Sequence, residues 1–329
     1  MVPPRAVRRL VLAPLLIAVA VAVSVATPGL LLLGLMASRG RRRLLRLTSF
    51  GVSWLVLESV VLFGCLALWI TSGFGGLARR TAAHQEREYA LCGWFLARMY
   101  SVATRAFHLV VEIQEPLNAA ADRPVIVLSR HAGPGDSLLI VHFLLNVYGR
   151  RPRIVMKAVL QFDPGIDVLL NRLPNAFVPG GAAPRERIVA EIGRLATGLD
   201  SPGAILIFPE GGNFTPRRRT RAIRRLRRRG RRTEAERAGK MENVMPPHPA
   251  GTLAAIEAAP TADIVFVAHT GVDDLMSVAD VWHRIPMGQP VRARWWRVPY
   301  DEIPDEDRER WLYDWWARID AWITENRPI

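Results

Sequence analysis

The sequence predicts an α/β protein, a sheet flanked by helices and preceded by an N-terminal two-helix membrane segment. Two observations carry this. From Pro124 onward, short β-branched runs alternate with segments of helical period, as in a domain built on a largely buried sheet. Ahead of them stand two apolar runs, LVLAPLLIAVAVAVSVATPGLLLLGLMA from Leu10 to Ala37 and GVSWLVLESVVLFGCLALWITSGF from Gly51 to Phe74. Each is long enough to cross a hydrocarbon layer of ~30 Å.

In chain order, the apolar hairpin occupies residues 1–78 and the remaining domain residues 79–329. Ala82 to Val111 reads as a helix. Strands are expected at Pro124–Ser129, Arg153–Lys157, Asn175–Pro179, Ala204–Phe208, Ile264–Ala268 and Val291–Val298, where β-branched and aromatic residues cluster between Gly, Pro and Asn. Helices are expected at Ser137–Tyr148, Ile166–Asn171, Arg185–Thr197 and Gly251–Ala258. A closing helix, Asp305–Thr324, places Trp311, Leu312, Trp315, Ile319, Trp322 and Ile323 at helical spacing, a face suited to docking on the core.

The N-terminal charges leave the topology open. Arg39, Arg41, Arg42, Arg43 and Arg46 lie between the apolar runs, while Arg5, Arg8, Arg9, Arg79, Arg80 and Arg87 flank them, so no positive-inside bias emerges. A spanning hairpin and a pair that dips into one leaflet, broken at Pro28-Gly29, both fit. Arg5, Arg8 and Arg9 before an apolar run, with Ser24-Val25-Ala26 after it, also suit a signal peptide. Cys65 and Cys92, the two cysteines, form neither a disulfide framework nor a metal site.

The net charge of +14 is carried almost wholly by arginine, since Lys157 and Lys240 are the only lysines. Arg217 to Arg232 holds eleven arginines in sixteen residues, a surface for phosphates, phospholipid head groups or nucleic acid. It contains no aromatic residue to stack on bases, which argues against nucleic acid.

The stretch SRHAGPGDSLL, Ser129 to Leu139, carries the first chemical signal. On one continuous helix His131 and Asp136 would point roughly 140° apart. Gly133, Pro134 and Gly135 forbid that helix and permit a loop that brings the carboxylate back to the imidazole. Asp136 also suits a simple helix cap, and a histidine after a strand can be an ordinary edge residue. A second candidate strand, AILIF, runs straight into PEGGNFTP, so Glu210 leaves it at a comparable position.

HAGPGD at His131–Asp136 and FPEGGNFT at Phe208–Thr215 together resemble the 1-acylglycerol-3-phosphate acyltransferase family of glycerolipid acyltransferases, which carries a histidine, four residues, an aspartate and, later, a Phe-Pro-Glu-Gly block. Lys157 to Gly181 is similar to the family's middle block. The insertion after Phe214 and the tryptophan-rich tail resemble its lysophosphatidate and lysocardiolipin acyltransferase branch. The likeness runs from about Ala120 to Ile323.

The resemblance implies a mixed sheet and a membrane-bound enzyme moving an acyl group from acyl-CoA, or an acyl carrier protein, to a lysophospholipid hydroxyl. Such a step needs no metal and no cofactor beyond the acyl-CoA co-substrate. His131 is then the general base and Asp136 its orienting partner, while N–H groups of the Gly133–Gly135 loop are candidate oxyanion donors. Glu210, Gly211, Asn213 and Lys157 fall on the acceptor side by the same resemblance. The chain departs from the family where Arg130 replaces an asparagine, where Gly212-Asn213 replaces Thr-Arg, and where Pro179-Gly180-Gly181 stands in place of an arginine. The acceptor's phosphate then needs other cations, and Arg130, Arg185 and Arg187 are the nearest in sequence, with Arg217 to Arg219 following the Glu210 loop. The rest of the run suits an anionic membrane surface. The expected location is the cell membrane with the catalytic domain in the cytoplasm. A different lipid or glycolipid acceptor, a catalytically dead lipid-binding relative, and a membrane-tethered nucleic-acid-binding protein are the alternatives.

Overall fold

A computed structural model describes residues 2–37, 42–75, 81–115, 122–179, 185–273, 275 and 277–327. Its elements are α1 (Arg5–Val7), α2 (Ala13–Ala37), α3 (Arg43–Thr71), α4 (Ala82–Phe107), β1 (Val111–Gln114), β2 (Val125–Ser129), α5 (Pro134–His142), β3 (Arg151–Lys157), β4 (Ala176–Val178), α6 (Arg185–Ala196), β5 (Gly203–Ile207), α7 (Pro216–Arg228), α8 (Arg232–Lys240), α9 (Pro249–Ala258), β6 (Asp263–Thr270), α10 (Val278–Arg284), β7 (Val291–Val298) and α11 (Arg308–Asn326). They fall into two compact units, one of residues 1–109, 155–183 and 282–288, the other of residues 110–154, 184–281 and 289–329.

In the first unit, α2 packs on α3 and α3 on α4. The helices Arg5–Met36 and Arg43–Thr71 are long and apolar enough to cross a membrane. The expected break at Pro28-Gly29 is absent. Pro28 lies inside α2, where its missing N–H and fixed φ are absorbed without ending the helix. Asp167, which is buried, takes both Arg8 and Arg9, at 2.7 and 3.2 Å. The last three residues of β3 pair in parallel with β4 in this unit.

The second unit holds the sheet in the order β1-β7-β6-β2-β5-β3, with β6 and β7 antiparallel and every other pair parallel. It is a mixed sheet, as expected. β2, β5 and β6 are buried at every position, which is why they read as unbroken apolar runs rather than alternating ones. α11 docks on β6, stacking Trp315 on Phe266 with ring centroids 4.3 Å apart.

The helix expected over Ala82–Val111 needs correction. Helix α4 stops at Phe107, and Val111–Gln114 is a strand, because pairing with β7 captures a four-residue segment that has little preference of its own. Most of the arginine run is helical. Thr215 caps α7 by accepting the Arg218 N–H at 3.2 Å, and Pro216 opens it. α8 follows, so a stretch whose charges hide any helical period folds as two helices.

Candidate active site

The site begins with register. Leu128 of β2 lies opposite Ile207 of β5 in a parallel ladder. His131 and Glu210 each follow three residues later, so both leave adjacent buried strands at one end of the sheet. The loop after β2 then doubles back, and α5 starts at Pro134.

Both carboxylate oxygens of Asp136 lie 3.1 Å from His131 Nδ1. Asp136 Oδ2 also accepts the N–H groups of Ala132 at 2.6 Å and Gly133 at 3.0 Å, and Oδ1 accepts the Ser137 hydroxyl at 3.1 Å. One buried carboxylate thus closes the loop and holds the imidazole, so the capping role and the pairing role coincide in Asp136. Burial pushes its carboxyl up, but the His131 hydrogen bond, the charge of His269 and His131, and the Gly133 N–H together hold it below the ordinary range. Phe208 stacks on the His131 ring at 4.4 Å, and the His131 carbonyl accepts the Phe214 N–H at 2.7 Å.

Several expected roles change once the atoms are placed. The Gly133 N–H is committed to Asp136 and does not face an incoming oxyanion. Gly135 is exposed at the start of α5, and no described hydrogen bond uses its N–H. Glu210 is buried and receives the His131 N–H on Oε1 at 3.3 Å and the Met245 N–H on Oε2 at 3.2 Å, so both its carboxylate oxygens are engaged with backbone. Burial pushes its carboxyl up to about 8 against the pull of Arg130 and those two N–H groups. Gly211 follows at φ +68, a left-handed turn where an added Cβ would stand 3.2 Å from the His248 ring.

Arg130 is the plainest correction. It is fully buried, donating to the His269 carbonyl at 2.8 Å, to Asp273 at 2.5 Å and to the Asn243 carbonyl at 3.1 Å, so it cannot reach an acceptor phosphate. Burial opposes ionisation of Asp273, yet the Arg130 guanidinium outweighs it and holds that carboxyl at about 2. Its replacement of a smaller polar residue is thereby explained: it ties β2 to the end of β6.

The remaining candidates are scattered. Asn213 is half-buried, and its carbonyl accepts from Arg218 at 3.1 Å. Arg187 is exposed in the first turn of α6. Lys157 is exposed at the end of β3 and belongs to the other unit. Gly180, Gly181 and the Arg185 side chain lie outside the described residues.

Sequence reasoning missed His269 and Asp273. His269 Nε2 lies 3.2 Å from the Arg130 carbonyl and 3.6 Å from Asp136 Oδ2, and burial holds its imidazole below the ordinary value. Nothing in the sequence marks it, since it sits within a buried strand far along the chain. Among the described residues no cluster of His, Cys, Asp and Glu could hold a metal ion.

Residues 108–268 match the Acyltransferase family model. A comparison with curated proteins gives no match. Among solved structures, the chain is similar to the crystal structure of the 1-acyl-sn-glycerophosphate (LPA) acyltransferase PlsC from Thermotoga maritima. The two are 16% identical, with a TM-score of 0.47 over 85% of this chain and 99% of that one.

Proposed function

We propose, from the match of residues 108–268 to the Acyltransferase family model, that the chain is a membrane-bound O-acyltransferase moving a fatty acyl group from acyl-CoA to the hydroxyl of a lysophospholipid such as 1-acylglycerol-3-phosphate. The observation that supports it is the His131–Asp136 pair, with Nδ1 held by a buried carboxylate at 3.1 Å. The pairing fixes the Nδ1–H tautomer and leaves the Nε2 lone pair as the base.

In this reading Nε2 takes the acceptor hydroxyl's proton as its oxygen bonds to the thioester carbonyl carbon. The negative charge gathers on the carbonyl oxygen, near the exposed Gly135 N–H at the start of α5, and Asp136 stabilises the imidazolium. Collapse re-forms the C=O, breaks the C–S bond and expels the thiolate, which recovers the proton from Nε2. Glu210 acts through structure, holding the His131 backbone against the Met245 loop. No resident metal or cofactor enters the step. The hairpin of residues 1–78 anchors the catalytic part, residues 79–329, to the membrane. A coenzyme A thioester as donor places that part in the cytoplasm.

The test is thiol release from acyl-CoA by purified full-length protein across a panel of acceptors. Release that depends on a lysophospholipid, and is greatest with 1-acylglycerol-3-phosphate, is the expected outcome. Release with glycolipid acceptors alone replaces the acceptor assignment, and no release with any acceptor refutes the activity.

A further inference from the structure

The arginines of α7 divide into two sets with different surroundings. Arg218, Arg221, Arg225 and Arg229 line an open cavity of about 290 Å³ whose wall also includes Glu210 and Arg231. Successive helical residues turn by about 100°, so these four fall within one arc of about 80°, while Arg224 and Arg227 lie about 60° and about 120° outside it, exposed and not among the residues that line the cavity.

Arg231 is already taken by Glu234 and Glu309. Arg221, Arg225 and Arg229 make no ion pair with any described residue. They stand four residues apart, a spacing at which like charges repel along a helix. Such a stripe is unfavourable by itself and favourable around an anion. From Arg218 to Arg229 it extends about 16 Å at ~1.5 Å per residue, well beyond one phosphate group. Guanidinium groups on consecutive turns match a row of phosphates, each gripped by planar forks.

We propose that this cavity binds a ligand through two or more phosphate groups. Glu210 lines it and accepts the His131 backbone N–H at 3.3 Å, so the cavity adjoins the chain segment that carries the paired histidine. The inference deepens the acyl-transfer reading and rests on it only for the source of the phosphates, either those of a coenzyme A thioester or those of a lipid acceptor's head group.

Calorimetric titration of the full chain in detergent with pyrophosphate, and with orthophosphate as the single-phosphate comparison, is the test. Wild type should prefer pyrophosphate. The triple variant Arg221→Gln, Arg225→Gln, Arg229→Gln should lose pyrophosphate affinity by on the order of 10²-fold, as three charge-assisted contacts disappear. Arg224→Gln, Arg227→Gln, Arg232→Gln, at exposed positions that do not line the cavity, removes the same charge and should stay within about threefold. Equal loss in both triples, or no preference for pyrophosphate, overturns the inference. A protein that binds pyrophosphate but releases no thiol leaves it standing and sinks the acyl-transfer reading alone. One that releases thiol and ignores pyrophosphate does the reverse. In steady-state kinetics the first triple should raise the KM of acyl-CoA if the donor's phosphates occupy the cavity, or that of the acceptor if the lipid's do. Neither KM rising overturns it.

Discussion

Asp136 is a single residue serving two ends, and the two can be separated by substitution. Asp136→Asn keeps the size but loses the charge that stabilises imidazolium and can present an N–H to Nδ1. It should lower the thiol-release rate on the order of 10²-fold to 10⁴-fold, and His131→Ala should abolish it. Arg130 is different in kind. Arg130→Met should destabilise the protein by about 3 kcal/mol in denaturant unfolding, because it leaves the half-buried Asp273 ionised without its buried partner. Near-wild-type stability would mean that Asp273 finds another cation. Glu210 makes a pH prediction. Its folded carboxyl titrates at about 8, above the ordinary glutamate value of 4.5, so the folded state holds the proton more tightly. Its contribution is complete below pH 4.5 and is lost as pH rises toward 8. Thermal stability followed across that window should fall with pH in the wild type and fall less in Glu210→Gln.

At the scale of elements, the site depends on how strands end. β6 ends just before Gly271, at φ +101, where an added Cβ would meet the Pro290 carbonyl oxygen at 2.8 Å. The Gly271 N–H also donates to Asp273 at 3.0 Å. Gly271→Ala should therefore cost about 2 kcal/mol or more through backbone strain, read as a lower unfolding midpoint, and should weaken the Asp273–Arg130 anchor with it. α7 shows a different dependence. Its sequence gives no apolar stripe, and the helix forms because Thr215 caps it, Pro216 starts it, and Ile223 buries one face while Arg219 donates to the Met241 carbonyl.

For the whole molecule, two apolar helices long enough to cross a membrane and a region that matches the Acyltransferase family model share one chain. If acyl-CoA is the donor, the domain must meet the cytosolic pool. An export-dependent reporter enzyme fused after Ile329 should then be inactive in cells. A strongly active reporter would place the domain outside and remove coenzyme A as donor.

The sequence by itself determined the α/β class, six of the seven strands to within about two residues at each end, and the His131–Asp136 pair, because each is written locally. Buried parallel strands need unbroken apolar runs, and a histidine and an aspartate across Gly-Pro-Gly can meet only by a tight loop. Tertiary structure decided the rest. Val111–Gln114 became a strand by pairing with β7, and Glu210 became a buried anchor when Met245 closed over it. Arg130 turned inward because Asp273, distant in sequence, waits at the end of β6. Which arginines of the run line the cavity was decided only once α7 had packed, since spacing alone places charges around a helix without saying which side meets the protein.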